Sequence, residues 1–145
     1  MIKTVEATGK TTDDAVAAAL RMLWDVNPDI SEADVEVELL ERARTGFLGI
    51  GSSNAKVRVT YEMKPLESAK IFLSGLLEHI GVNGFVDGVV TEEGTVALNV
   101  TGENMGVVIG RRGDTLDALQ YITSIVVNRN EKDHVRVTVD TENYR

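Results

Sequence analysis

The chain has 145 residues, 43% of them apolar and 26% charged, with a formal net charge of -8. That length suits one ordinary domain or two small ones. The complete lack of cysteine excludes a disulfide framework, a thiolate metal site and a cysteine nucleophile. No stretch approaches the ~20 apolar residues of a membrane span, and the N-terminus lacks the apolar run of a signal peptide, so a soluble, cytoplasmic protein is expected.

Ile2 to Ala7 reads as a strand. Gly9-Lys10 makes a turn, and Thr11 is placed to cap a helix from about Thr12 to Trp24, with Asp14 three residues on. Val16, Ala19, Leu20 and Leu23 recur at helical spacing as its inner stripe. Asn27-Pro28 closes that region. Val35, Val37 and Leu39 then alternate with Glu36, Glu38 and Leu40. Val57, Val59 and Tyr61 alternate with Lys56, Arg58 and Thr60. Pairing these two strands as a hairpin would set Glu36 and Glu38 against Lys56 and Arg58 on the wet face. The first unit is therefore β-α-β-β.

Glu62 to Pro65 reads as a linker, with Pro65 suited to the first turn of a helix. Ala69, Phe72, Leu73, Leu76, Leu77 and Ile80 mark that helix, and Gly81 is placed to end it. Phe85–Thr91 and Thr95–Thr101 read as a hairpin around Glu92-Glu93-Gly94. A short helix near Asn104–Ile109 follows, then Gly110-Arg111-Arg112-Gly113. The next helix runs from Asp114 to about Asn128, with Leu116, Leu119, Ile122 and Val126 as its inner stripe and Asp114 as N-cap. Val135, Val137 and Val139 make a last strand. The second unit is α-β-β-α-α-β, and the whole chain is α+β with domains 1–62 and 65–145.

The segment from Gly106 to Leu119 carries the chemistry. Two glycines let a backbone approach a ligand, two arginines bring charge to the same point, and free N–H groups open the following helix. Together they suit a sugar-phosphate backbone. A G-x-x-G between two apolar helices, in this element order, resembles a type II KH domain, whose loop clamps about four nucleotides of single-stranded RNA. The expected contacts are Gly110, Arg111, Arg112 and Gly113, with Thr115 offering a hydroxyl to the RNA or serving only the helix start. Val107, Val108 and Ile109 are expected mainly in the core. The net charge opposes general nucleic-acid affinity, so binding should be local, weak and salt-sensitive.

Gly46-Phe47-Leu48-Gly49-Ile50-Gly51, between two strands, looks like the signature loop of a Jag N-terminal domain. Ile109 to Tyr121 resembles the Jag version of the KH motif. The whole chain thus resembles the Jag (SpoIIIJ-associated; KhpB, EloR) family. The resemblance implies a bacterial RNA-binding protein and RNA chaperone acting in cell-wall synthesis and cell elongation. It also implies pairing with a small KH-only protein, KhpA, and a link to the membrane insertase YidC/SpoIIIJ. A homodimer is a further expectation. The family's third domain, named for an Arg-x-x-x-His motif, would begin about where this sequence stops, and the motif is absent here. A truncated chain or a shortened relative is therefore expected. Phe47, Leu48 and Ile50 either close the first core or present an apolar contact to a protein partner.

An enzyme is not expected. Gly46 and Gly51 have P-loop spacing, but Ser52 stands where the phosphate-binding lysine belongs, and a strand follows instead of a helix. His79 and His134 are isolated, which leaves no expectation of a metal or another cofactor. The runner-up is a scaffold that uses the KH fold for dimerisation and binds little RNA.

Overall fold

The computed structural model describes residues 1–46 and 51–145. They form two compact units, Ile2–Met63 and Lys64–Arg145. Phe47, Leu48 and Ile50 lie outside the described residues. Among the described residues, no helix is long and apolar enough to cross a membrane.

The first unit is built from β1 (Ile2–Gly9), α1 (Thr12–Leu23), β2 (Val35–Glu41) and β3 (Ala55–Glu62). Its sheet has the order β1-β3-β2, antiparallel throughout. Thr11 caps α1 as its sequence position demands, its hydroxyl accepting from the Asp14 N–H at 3.1 Å. Ala15, Val16, Ala19 and Leu23 face inward, while Leu20 is only half-buried. They meet the alternating Ala55, Val57, Val59 and Tyr61 of the central strand.

On the opposite face, Arg58 sits directly across from both Glu6 and Glu38, at 3.3 and 3.0 Å. Glu36 opposes Thr60 instead of a cation. A register shift between Leu39 and Glu41 brings Glu41, not Glu36, opposite Lys56. Val37 and Leu39 alternate as a buried strand should, yet they remain 40% and 42% exposed. The cause is geometric. A helix is about 10 Å across and spans two strands set ~4.8 Å apart. Here α1 packs mainly on β1 and β3, and β2 lies at the sheet edge.

The second unit contains α2 (Pro65–His79), β4 (Gly84–Val90), β5 (Val96–Gly102), α3 (Gly106–Ile109), α4 (Asp114–Asn128) and β6 (Val137–Thr141). The sheet order is β4-β5-β6, with β4 antiparallel and β6 parallel to the central strand. Pro65 occupies the first turn of α2. The helix ends in a Schellman motif: Val82 N–H donates to Leu77 O at 2.9 Å and Gly81 N–H to Glu78 O at 3.1 Å. Gly81 makes this possible by taking φ 79°.

Helices α2 and α4 pack against each other and cover one sheet face. Ala69, Leu73 and Leu77 of α2 meet Leu98 and Val100 of β5, Leu116 and Leu119 of α4, and Val139 of β6 in one core. The inner stripe of α4 differs from the expected one. Leu116, Leu119, Thr123 and Val127 are buried, whereas Ile122 is 42% exposed and Val126 half-buried. Thr123 is tolerated inside because its hydroxyl donates to Leu119 O at 2.7 Å.

Candidate nucleic-acid interface

The chain reaches the proposed site through α3, a single turn whose Val108 is buried and whose Met105 N-cap also enters the core. Ile109 is half-buried and Val107 exposed, so one of the three apolar residues anchors the turn fully. At Gly110 the backbone leaves the helix with φ 72° and ψ -170°, a conformation open in practice only to glycine. Space demands glycine as well: a Cβ there would overlap Thr115 Oγ1 and Cβ. Thr115 thus backs the turn from the second residue of α4.

Arg111 and Arg112 follow, both exposed, on a tight 3-10 turn. Arg112 takes the left-handed conformation, φ 54° and ψ 26°. Gly113 repeats it at φ 78° and is buried. This left-handed Gly113, not Asp114, is the N-cap of α4; Asp114 is the first helical residue, where its charge complements the helix dipole. The fifteen-residue helix therefore follows the two arginines at once; its first N–H, of Asp114, donates to Arg111 O, and no side chain caps that end.

β6 is the outer strand of its sheet. Arg136 O pairs with Val96 N–H of β5, so the N–H and C=O of Val137 and Val139 point the other way. Gln120 of α4 reaches across and accepts from Val139 N–H at 2.9 Å. Asn128, at the end of α4, holds the start of the strand: it accepts from Val135 N–H at 2.7 Å and donates to Val135 O at 2.9 Å. Gln120 and Asn128 thus tie α4 to the outer edge of β6, and the GRRG turn stands at the start of that helix.

Gly110, Arg111, Arg112, Gly113 and Thr115 come together as one turn; the two arginines are its exposed charges and Thr115 its support. Two features escaped the sequence reading. Tyr121, Ile122 and Ile125 form an exposed apolar stripe on α4, with Tyr121 70% exposed. Residues 142–145 fold back toward the turn, placing Tyr144 against Gly113. The stripe had a signal, since α4 carries apolar residues at two helical spacings. The tail had none. His79 and His134 are exposed and belong to separate elements, the end of α2 and the loop before β6.

Two families match the chain: "KhpA/KhpB, KH domain" over residues 67–139 and "Jag N-terminus" over residues 7–61. Among curated proteins, the RNA-binding protein KhpB of Clostridium symbiosum is 38% identical over 143 residues, covering 97% of this chain and 62% of that protein. The RNA-binding protein KhpB of Bacillus subtilis (strain 168) is 36% identical over 146 residues, covering 99% of this chain and 67% of that protein. The chain therefore spans about two thirds of the length of these relatives.

Proposed function

Since the chain belongs to the KhpB family, with a Jag N-terminal domain followed by a KH domain, we propose that it binds single-stranded RNA through the GRRG turn. The observation that carries this reading is the turn itself. Two exposed arginines sit between glycines that take left-handed or glycine-only backbone, directly ahead of the open N-terminus of α4. Phosphates would pair with Arg111 and Arg112 and accept from backbone N–H groups brought close by Gly110 and Gly113. Thr115 supports the turn and lies within the same contact.

Residues 1–62 and 65–145 act as separate domains in this proposal, and the division into two compact units supports it. The finer role follows the family resemblance: a cytoplasmic, non-enzymatic RNA chaperone in bacterial cell-wall synthesis and elongation, linked to YidC/SpoIIIJ. Phe47, Leu48 and Ile50, an apolar run set between glycines, serve protein contact in this proposal.

The test replaces charge at the turn. Arg111→Asp with Arg112→Asp alters two exposed positions, so folding should persist while RNA binding collapses. Each lost phosphate contact should also flatten the log–log salt dependence by roughly 0.7. A folded double variant that binds single strands as well as the native chain refutes the assignment.

A second reading is favoured by the stripe at Tyr121, Ile122 and Ile125. Large adjacent apolar side chains on a helix face suit pairing with another KH fold, either a KhpA-type partner or a second copy. Ile122→Glu with Ile125→Glu should abolish such association in sedimentation while leaving the melting temperature nearly unchanged.

A further inference from the structure

The four residues after β6 are built against the GRRG turn. Glu142 and Asn143 take φ 50° and 56°, and Tyr144 N–H donates to Thr141 O at 2.9 Å. This is a type I′ turn, which reverses the chain at once. Glutamate is an unfavourable choice for it, so the contacts that follow must hold the conformation. They come from β6 and α4. Arg145 donates from Nε to Val139 O at 2.8 Å and through its backbone N–H to Asp140 Oδ1 at 3.2 Å. Its guanidinium also pairs with Asp117 of α4 at 2.7 Å. Arg145 thereby fixes the tail to strand and helix together.

Tyr144 is delivered onto the turn by this anchoring. A Cβ placed on Gly113 would lie 3.0 Å from Tyr144 Cε1 and 3.4 Å from its hydroxyl oxygen. Part of the ring therefore rests on the last glycine of the GRRG, while 47% of the residue stays exposed. An aromatic surface beside a phosphate clamp is positioned to receive the base whose phosphate the clamp holds. The electrostatics give it a task. Only Arg111 and Arg112 carry charge on the turn, in a chain of net charge -8, so phosphate attraction alone is a weak and salt-sensitive source of affinity. Stacking adds a contribution that salt does not screen.

We infer that Tyr144 is an RNA-contacting residue of this site, a stacking platform for a nucleobase beside the GRRG turn, with Arg145 as the residue that positions it. The inference rests on the phosphate-clamp reading above and deepens it. It also gives Gly113 a second requirement besides its φ, because any side chain there would push the ring away.

The test uses the full chain and two ligands of equal length: a short oligoadenylate, and a ribose-phosphate oligomer lacking bases. Tyr144→Ala should weaken oligoadenylate binding roughly tenfold and leave binding of the base-free oligomer unchanged. Tyr144→Phe should behave as native. Tyr144→Leu, which still packs on Gly113 but offers no aromatic face, should behave as Tyr144→Ala. Equal losses on both ligands would make Tyr144 a mere support of the turn and overturn the inference. So would tighter binding by Tyr144→Ala, which would make the Tyr144 ring an obstruction at the turn. Arg111→Asp with Arg112→Asp separates the two readings. If it weakens both ligands while Tyr144→Ala weakens neither, only the stacking platform falls. If it weakens neither, the phosphate clamp falls as well.

Discussion

Gly110→Ala should be the most damaging single-methyl addition in the second unit. Two costs add. The backbone at φ 72° and ψ -170° is strained for an alanine by about 1–3 kcal/mol. The new Cβ also overlaps Thr115 at its Oγ1, Cβ and backbone N; that residue is held in α4 and cannot swing aside, and such overpacking costs about 1–3 kcal/mol more. A total of about 4 kcal/mol is a large part of the roughly 4–12 kcal/mol expected for a unit of this size. It should lower the melting temperature by about 16–32 °C. Calorimetry on the full chain reads this directly, with Gly106→Ala as the internal control. Gly106 is exposed, takes an ordinary helical φ and has nothing within 4 Å of an added Cβ. There alanine should be neutral or stabilising by up to about 1 kcal/mol. A Gly110→Ala chain melting within about 2 °C of native would refute the account of the turn.

Arg112→Gly exchanges left-handed strain of about 1–2 kcal/mol for the backbone freedom of glycine, about 0.5–1 kcal/mol. Its melting temperature should hardly move while RNA affinity falls, and a large loss of stability would show that Arg112 serves the fold. Leu119→Ala should cost about 2–5 kcal/mol in denaturant unfolding and Ile122→Ala less than about 1 kcal/mol; the reverse order would overturn the facing of α4. Arg58→Ala removes the cation shared by Glu6 and Glu38 on an exposed face, so it should cost no more than about 1 kcal/mol. A larger loss, measured by the same unfolding at low and high salt, would mean the triad is worth more than solvent-screened charges allow.

Much of this protein was legible in its sequence because local rules decided it. Thr11 capped α1, Pro65 opened α2, Gly81 closed it, and the alternation in Ala55–Glu62 survived as the central strand of the first sheet. These are short-range effects of dihedral preference and period, which neighbours along the chain suffice to set. The GRRG turn was legible for the same reason, since glycine spacing reports a backbone requirement. Packing settled what periodicity left ambiguous. Helix α4 carries two apolar stripes, and hydrophobicity favoured Ile122 over Thr123 as a core residue. The fold chose Thr123, whose hydroxyl bonds within its own helix, and left Ile122 on the outside. Likewise Val37 and Leu39 read as buried, but one helix is too narrow to cover a third strand. The tail was beyond any local signal. Tyr144 and Arg145 meet Gly113 and Asp117 only because β6 runs parallel to β5 and ends beside the start of α4. Contacts between residues some thirty positions apart are a property of the closed fold, and no periodicity records them.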